Sequence, residues 1–118
     1  MAASASVRIV NDTDSLILIT GVSHVNDDPT FHGIKSGDRL SSGESKTLSM
    51  GNESFIGFPR GVGCDITFVC QENFKPGHVH FDDPAIGKHS FSFGDTSAFH
   101  YKTETESDDF YQVKISLA

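Results

Sequence analysis

Between Gly61 and Gly87 the chain reads GVGCDITFVCQENFKPGHVHFDDPAIG, and this stretch constrains the fold more than any other. Cys64, Ile66, Phe68 and Cys70 alternate with Asp65, Thr67 and Val69. Successive side chains of an extended chain point to opposite faces, so Cys64–Gln71 reads as a strand with one face in a core. A polar turn over Gln71–Gly77 leads to a second strand, His78–Asp82, with His78 and His80 on one face and Val79 and Phe81 on the other. Asp82-Asp83-Pro84 then closes the pair.

The rest of the chain repeats this grammar. Val7–Val10 alternates and Asn11-Asp12-Thr13-Asp14 interrupts it. Leu16–Thr20 follows as an unbroken apolar run, which predicts an opening hairpin whose second strand is buried on both faces. Gly21–Gly43 is irregular, with loops around a short strand near His32–Lys35. Glu44–Met50 alternates again, Gly51-Asn52 reads as a turn, and Ser54–Phe58 as the returning strand. Lys88–Gly94 and Ser97–Thr103 carry Phe91, Phe93, Phe99 and Tyr101 at alternate positions. Glu104–Asp109 reads as an acidic loop, and Phe110–Leu117 buries Tyr111, Val113, Ile115 and Leu117 as one face. No window of helical length has a 3.6-residue apolar period. The expected fold is all-β: a single-domain antiparallel β-sandwich of about nine short strands over residues 1–118, with 1–6 as a flexible N-terminal tail.

Composition narrows the function classes. A net charge of −7 and a pI near 5.1 argue against a surface that tracks phosphates, because nucleic acids and anionic bilayers are held by clustered Lys and Arg. No apolar run approaches the ~20 residues that span a bilayer, so no transmembrane segment is expected. Met1–Ser6 lacks a basic region followed by an apolar one, which predicts a cytoplasmic location or export without a recognisable signal peptide. Cys64 and Cys70 would lie roughly 20 Å apart along an extended strand, too far to pair, and read as buried free thiols.

Two clusters carry candidate chemistry. His78 and His80, two apart on a strand, project from one face and can offer two ligands to one metal ion, with His100 or His89 as the third. On that alternative reading the chain is a metal-dependent small β-barrel enzyme of the cupin kind with a divalent cofactor. Acidic pairs at Asp27-Asp28, Asp82-Asp83 and Asp108-Asp109 offer oxygen ligands if their loops converge, although no EF-hand spacing is present. No Gly-x-Ser-x-Gly elbow or phosphate-cradling glycine loop is found. The primary expectation is therefore a protein that is not an enzyme and needs no cofactor.

Ser6–Thr13 followed by Leu16–Ile19, the Gly61-Val62-Gly63 lead into a central strand, and Phe81-Asp82-Asp83-Pro84-Ala85-Ile86-Gly87 together resemble segments of the aegerolysin and actinoporin cytolysins, to which some fungal fruit-body lectins are similar. The resemblance implies a β-sandwich whose loops recognise a membrane lipid headgroup or a carbohydrate. In some members this leads to lysis, and in aegerolysins lysis often involves a separate protein partner. It points to Asp82, Asp83 and Pro84 as ligand-binding. The phosphocholine-binding Ser and Tyr of actinoporins fall at Asp82 and Ala85 here. Ser54, Phe99 and Tyr101 complete the expected ligand set, with Phe and Tyr in the anchoring role that Trp plays elsewhere.

Overall fold

The computed structural model describes residues 2–25, 29–53, 61–94 and 96–118. Among these residues are ten strands: β1 (Ala2–Asn11), β2 (Ile17–His24), β3 (Thr30–His32), β4 (Arg39–Leu40), β5 (Ser45–Glu53), β6 (Val62–Cys70), β7 (Pro76–Asp83), β8 (Ser90–Gly94), β9 (Phe99–Ser107) and β10 (Phe110–Leu117). They form two five-stranded sheets, β3-β5-β1-β10-β9 and β4-β2-β6-β7-β8. The chain is thus an all-β sandwich. No helix among the described residues is long and apolar enough to cross a membrane.

The alternation read from the sequence places the core. Cys64, Ile66, Phe68 and Cys70 of β6 face inward with no exposed surface, opposite Val7 and Ile9 of β1 and Val113 and Ile115 of β10. Both cysteines are free and buried, as their spacing predicted. Phenylalanine fills much of the space between the sheets. Phe68 packs on Phe99 with ring centroids 5.1 Å apart, and Phe81 packs on Phe91 and Tyr111 at 4.9 and 5.3 Å. Each fully buried ring contributes about 1.5–3 kcal/mol through water removal alone. The Phe68 ring also lies where a side chain at Gly77 would stand, since a Cβ there would come within 2.0 Å of it. Opposite Phe68, only glycine leaves the ring room.

Several expectations change. The first and last strands lie side by side in the middle of their sheet and run parallel, Ile9 against Val113, so that sheet is mixed rather than antiparallel. Parallel neighbours need a long crossover, and here almost the whole chain supplies it. The segment expected as a flexible tail is strand: β1 begins at Ala2 and pairs with β5 from its first residue. β1 and β2 belong to different sheets, so the opening hairpin is a corner between the sheets. β2 is buried on one side only, with Ile17 and Ile19 inside and Leu18 36% exposed, because no further layer covers the outer face of its sheet.

The short strand in the irregular region is Thr30–His32, slightly before its expected place, and β4 adds a second. β5 continues through Gly51-Asn52, where the buried Asn52 amide donates to the Gly61 carbonyl at 3.0 Å. The return expected at Ser54–Phe58 lies outside the described residues. The acidic run after Thr103 extends β9 through Ser107. Its charges are tolerated because β9 is an edge strand, and Arg8 reaches Glu106 at 3.3 Å across the sheet.

The corner between the sheets is built on Asn11, which is fully buried. Its amide nitrogen donates to the carbonyls of Ser15 (2.7 Å) and Leu40 (2.9 Å). Its amide oxygen accepts from the Thr13 backbone N–H (2.9 Å) and hydroxyl (2.7 Å). This local bonding pattern is the reason an Asn-x-Thr sequence turns here instead of extending the strand. Replacing Asn11 by Ala removes all four of these hydrogen bonds at a buried corner. Asn11→Ala is expected to lower unfolding free energy by on the order of 2–4 kcal/mol, read as a lower urea midpoint at unchanged slope.

Candidate functional site on the outer face of the second sheet

β6 and β7 pair with Asp65 directly opposite His80 and Thr67 opposite His78. All four side chains take the outward phase of their strands, opposite to the buried Ile66, Phe68 and Val79. Ser23 of β2 flanks Asp65 and Ser92 of β8 flanks His80, giving a polar row across four strands. The next row holds Gly21, Thr67, His78 and Gly94. A Cβ at Gly94 would come 3.0 Å from the His78 Cβ, so the glycine leaves that imidazole its space.

Within these rows one carboxylate oxygen takes two imidazoles. Asp65 Oδ1 lies 2.6 Å from His78 Nε2 and 2.7 Å from His80 Nδ1. The directly opposite histidine uses its near ring nitrogen, and the diagonal one uses its far nitrogen. This is how side chains two residues apart on one strand converge on one partner. An ionised carboxylate only accepts, so each ring donates an N–H: His78 from Nε2 and His80 from Nδ1. Burial alone would push the Asp65 carboxyl up, but the two histidine hydrogen bonds outweigh it and hold the group below the usual carboxylate range. The Tyr101 hydroxyl braces the neighbouring end of β7, donating to the Gly94 carbonyl at 2.8 Å and accepting from the His78 backbone N–H at 3.4 Å.

Directly behind Asp65, Cys64 faces the core. Burial, and then the adjacent Asp65 charge, push its thiol up to about 12. A thiol so placed stays protonated at neutral pH and is not a nucleophile.

Among the described residues, Asp65, His78 and His80 form a group whose ligand-type atoms all lie within 4.8 Å of one another. His100, expected as the third member, is exposed on β9 of the other sheet. His89 stacks near Tyr111, ring centroids 4.4 Å apart, beside Phe81 at the far end of β7. Asp65 escaped sequence reading because its role depends on register. Pairing Cys70 with Lys75 across the turn, and counting back, puts Asp65 opposite His80.

The expected ligand set does not assemble in one place. Asp82, Asp83 and Pro84 stand at the end of β7 beside Gly61, where an added Cβ would come 2.8 Å from the Asp83 carbonyl oxygen. Phe99 is 1% exposed and packs on Phe68 near the other end of the sandwich, so it offers a ligand no surface. Tyr101 is half-buried beside Phe93 and His78. Ser54 lies outside the described residues.

Of the acidic pairs, Asp27-Asp28 lies outside the described residues, while Asp82-Asp83 and Asp108-Asp109 come near enough for their charges to interact. Burial, then Asp109, and also Asp82 raise the Asp83 carboxyl, against a smaller opposing pull from His89. Burial and then Asp83, Asp109 and Asp108 raise the Tyr111 phenol.

The opposite end of the sandwich carries an apolar patch, flanked in the β6–β7 turn by the exposed Glu72 and Lys75. Phe74 sits in the β6–β7 turn with a positive φ of 55° and is 78% exposed. Beside it Leu16, Leu18, Val69 and Gln71 line a shallow cleft of about 240 Å³. The turn is held by the Phe74 N–H on the Cys70 carbonyl at 2.8 Å and the Lys75 N–H on Asn73 Oδ1 at 3.0 Å.

No family model and no curated protein matches the chain. Among solved structures it is similar to IP-1A from Alcaligenes faecalis, with a TM-score of 0.69 over 97% of this chain and 90% of that one, at 13% sequence identity. The likeness is one of fold.

The raised Asp83 carboxyl has a stability consequence. With its folded value above its unfolded one, the charged form is disfavoured in the fold. Stability therefore falls as pH rises from the unfolded range near about 4 through the folded value. Asp83→Asn is expected to melt above the parent at pH 7 and level with it at pH 3, as thermal melts at the two pH values would show.

Proposed function

We propose that the chain is a non-enzymatic binding protein that docks on a neutral or zwitterionic surface and recognises a lipid headgroup or a glycan there, in the manner of a cytolysin-like or lectin-like defence protein. The observation that carries this reading is an apolar patch at one end of the sandwich: Phe74, exposed in a hydrogen-bonded turn, above the cleft lined by Leu16, Leu18 and Val69. A large apolar side chain held out in water at a rigid tip keeps its desolvation energy for a partner. Burying the phenyl group yields about 1.5–3 kcal/mol, roughly one to two powers of ten in affinity. Gln71 on the rim of the cleft supplies a polar atom for a headgroup or hydroxyl.

Charge selects among surfaces. At −7 the chain is repelled by anionic bilayers, which points to uncharged or zwitterionic partners. Between lipid and sugar, a protruding phenyl beside an almost wholly apolar cleft favours the lipid. The order of segments resembling aegerolysins and actinoporins supports the same class, although this reading moves the contact from the Asp82-Asp83-Pro84 corner to the opposite end. A separate protein partner for any lytic step belongs to the same proposal.

Sedimentation with phosphatidylcholine, sphingomyelin and sterol vesicles, beside a glycan array, tests the reading. The parent is expected to bind at least one neutral lipid surface, and Phe74→Ser to bind about ten- to a hundredfold more weakly without loss of fold. Absence of binding to every neutral lipid and every glycan would sink the proposal, as would full binding by Phe74→Ser.

A further inference from the structure

We propose that Asp65, His78 and His80 form a binding site for a divalent ion of the zinc class on the outer face of the β4-β2-β6-β7-β8 sheet. The three side chains project from adjacent hydrogen-bonded strands, and their positions are fixed by register rather than by a loop. Their ligand atoms already lie within 4.8 Å of one another. They are also accessible: the side chains of His78, His80 and Asp65 are 40%, 33% and 28% exposed, so an ion can enter without opening the fold.

The donor set selects the ion. Two imidazole nitrogens and one carboxylate oxygen suit zinc, cobalt, nickel or copper, whereas calcium and magnesium prefer all-oxygen shells. Zinc sits about 2.0–2.2 Å from such ligands, and tetrahedral geometry then holds them about 3.2–3.5 Å apart. The present nitrogen–oxygen separations of 2.6 and 2.7 Å are hydrogen-bond distances. Each has to open by less than about 1 Å, within the reach of small side-chain rotations.

The ion takes the place of the two N–H bonds on Asp65. Each neutral ring moves its proton to its other nitrogen, Nδ1 for His78 and Nε2 for His80, and turns the freed lone pair to the metal, with no net proton change. Three protein ligands leave at least one coordination position for water or for an oxygen donor of a bound molecule. Gly94 and Gly21 at the ends of the His78 row keep side chains away from that side.

The test uses the full chain without an affinity tag, freed of metal by chelator and dialysis. Titration with zinc chloride is expected to show one ion per chain and a rise in melting temperature, with calcium giving neither. In nitrogen-15 spectra of histidine-labelled protein, His78 Nε2 and His80 Nδ1 should move on zinc addition while His89 and His100 stay in place. Asp65→Asn, His78→Gln and His80→Gln should each weaken zinc by about tenfold or more, and His100→Gln should leave it unchanged. Were a variant to fail to fold, the spectra of the parent decide alone. The proposal is overturned by lack of saturable zinc binding, by calcium binding more tightly than zinc, by shifts at other histidines only, or by equal loss in His100→Gln.

Discussion

The Asn11 side chain is the joint on which the two sheets hang. Its backbone still belongs to β1, with its N–H on the Glu44 carbonyl at 2.9 Å, while its amide holds the chain that enters β2 and the end of β4 in the other sheet. The Asp12 N–H bonds the Ile115 carbonyl at 2.8 Å and ties the last strand into the same corner. The Ser42 hydroxyl caps the Thr13 carbonyl at 2.6 Å. A buried amide is costly unless every donor and acceptor is used, and here both ends of the group are engaged. That penalty enforces the turn: a conformation that straightened the corner would strand several buried polar groups at once.

The corner also sets what happens on the far sheet. The Gln71 N–H bonds the Leu16 carbonyl at 2.9 Å, and Cys70 Sγ lies 3.9 Å from the Thr13 hydroxyl, so the base of the β6–β7 hairpin is seated on it. Once Cys70 is fixed against Lys75, every pair up the hairpin follows, including Asp65 with His80. A slip of one residue would turn Asp65 inward and bring Cys64 and Ile66 out, at a cost in core burial no surface cluster could offset. The convergence of one carboxylate and two imidazoles is therefore a by-product of register held by the core. Such a cluster is rigid before any ligand arrives, which is the condition under which three weak donors act as one site.

Sequence legibility followed the range of the interactions involved. The faces of β6, β7, β8 and β10 could be read because alternation is local and each strand turns one side to the core, β8 with the partly buried Phe91 and Phe93. Leu16–Thr20 misled because an apolar run implies two covered faces, yet Leu18 is open to solvent. The acidic stretch after Thr103 looked like a loop because edge strands tolerate charges that central strands cannot. The parallel pairing of β1 with β10 joins opposite ends of the chain and leaves no local mark. At the site, the shared face of His78 and His80 was visible from their spacing. Their partner was not, because Asp65 is recognisable only after counting through the turn, and His100 belongs to the other sheet.

The β6–β7 hairpin gives the molecule a direction. At one end stand Phe74 and the apolar cleft, and at the other burial, with Asp109 and Asp82 nearby, disfavours ionisation of Asp83. A neutral surface exerts no pull on the charges, so contact is decided by desolvation, and that term is largest where phenyl and aliphatic groups stand exposed. On the proposed reading the protein approaches end-on, with the carboxylates left in water where their mutual repulsion costs least. That orientation holds the Asp65–His78–His80 face roughly upright beside the surface, about two residues of β7, some 7 Å, above the apolar end. An ion held there would lie at headgroup height, within reach of an oxygen donor that the cleft itself has no charge to attract.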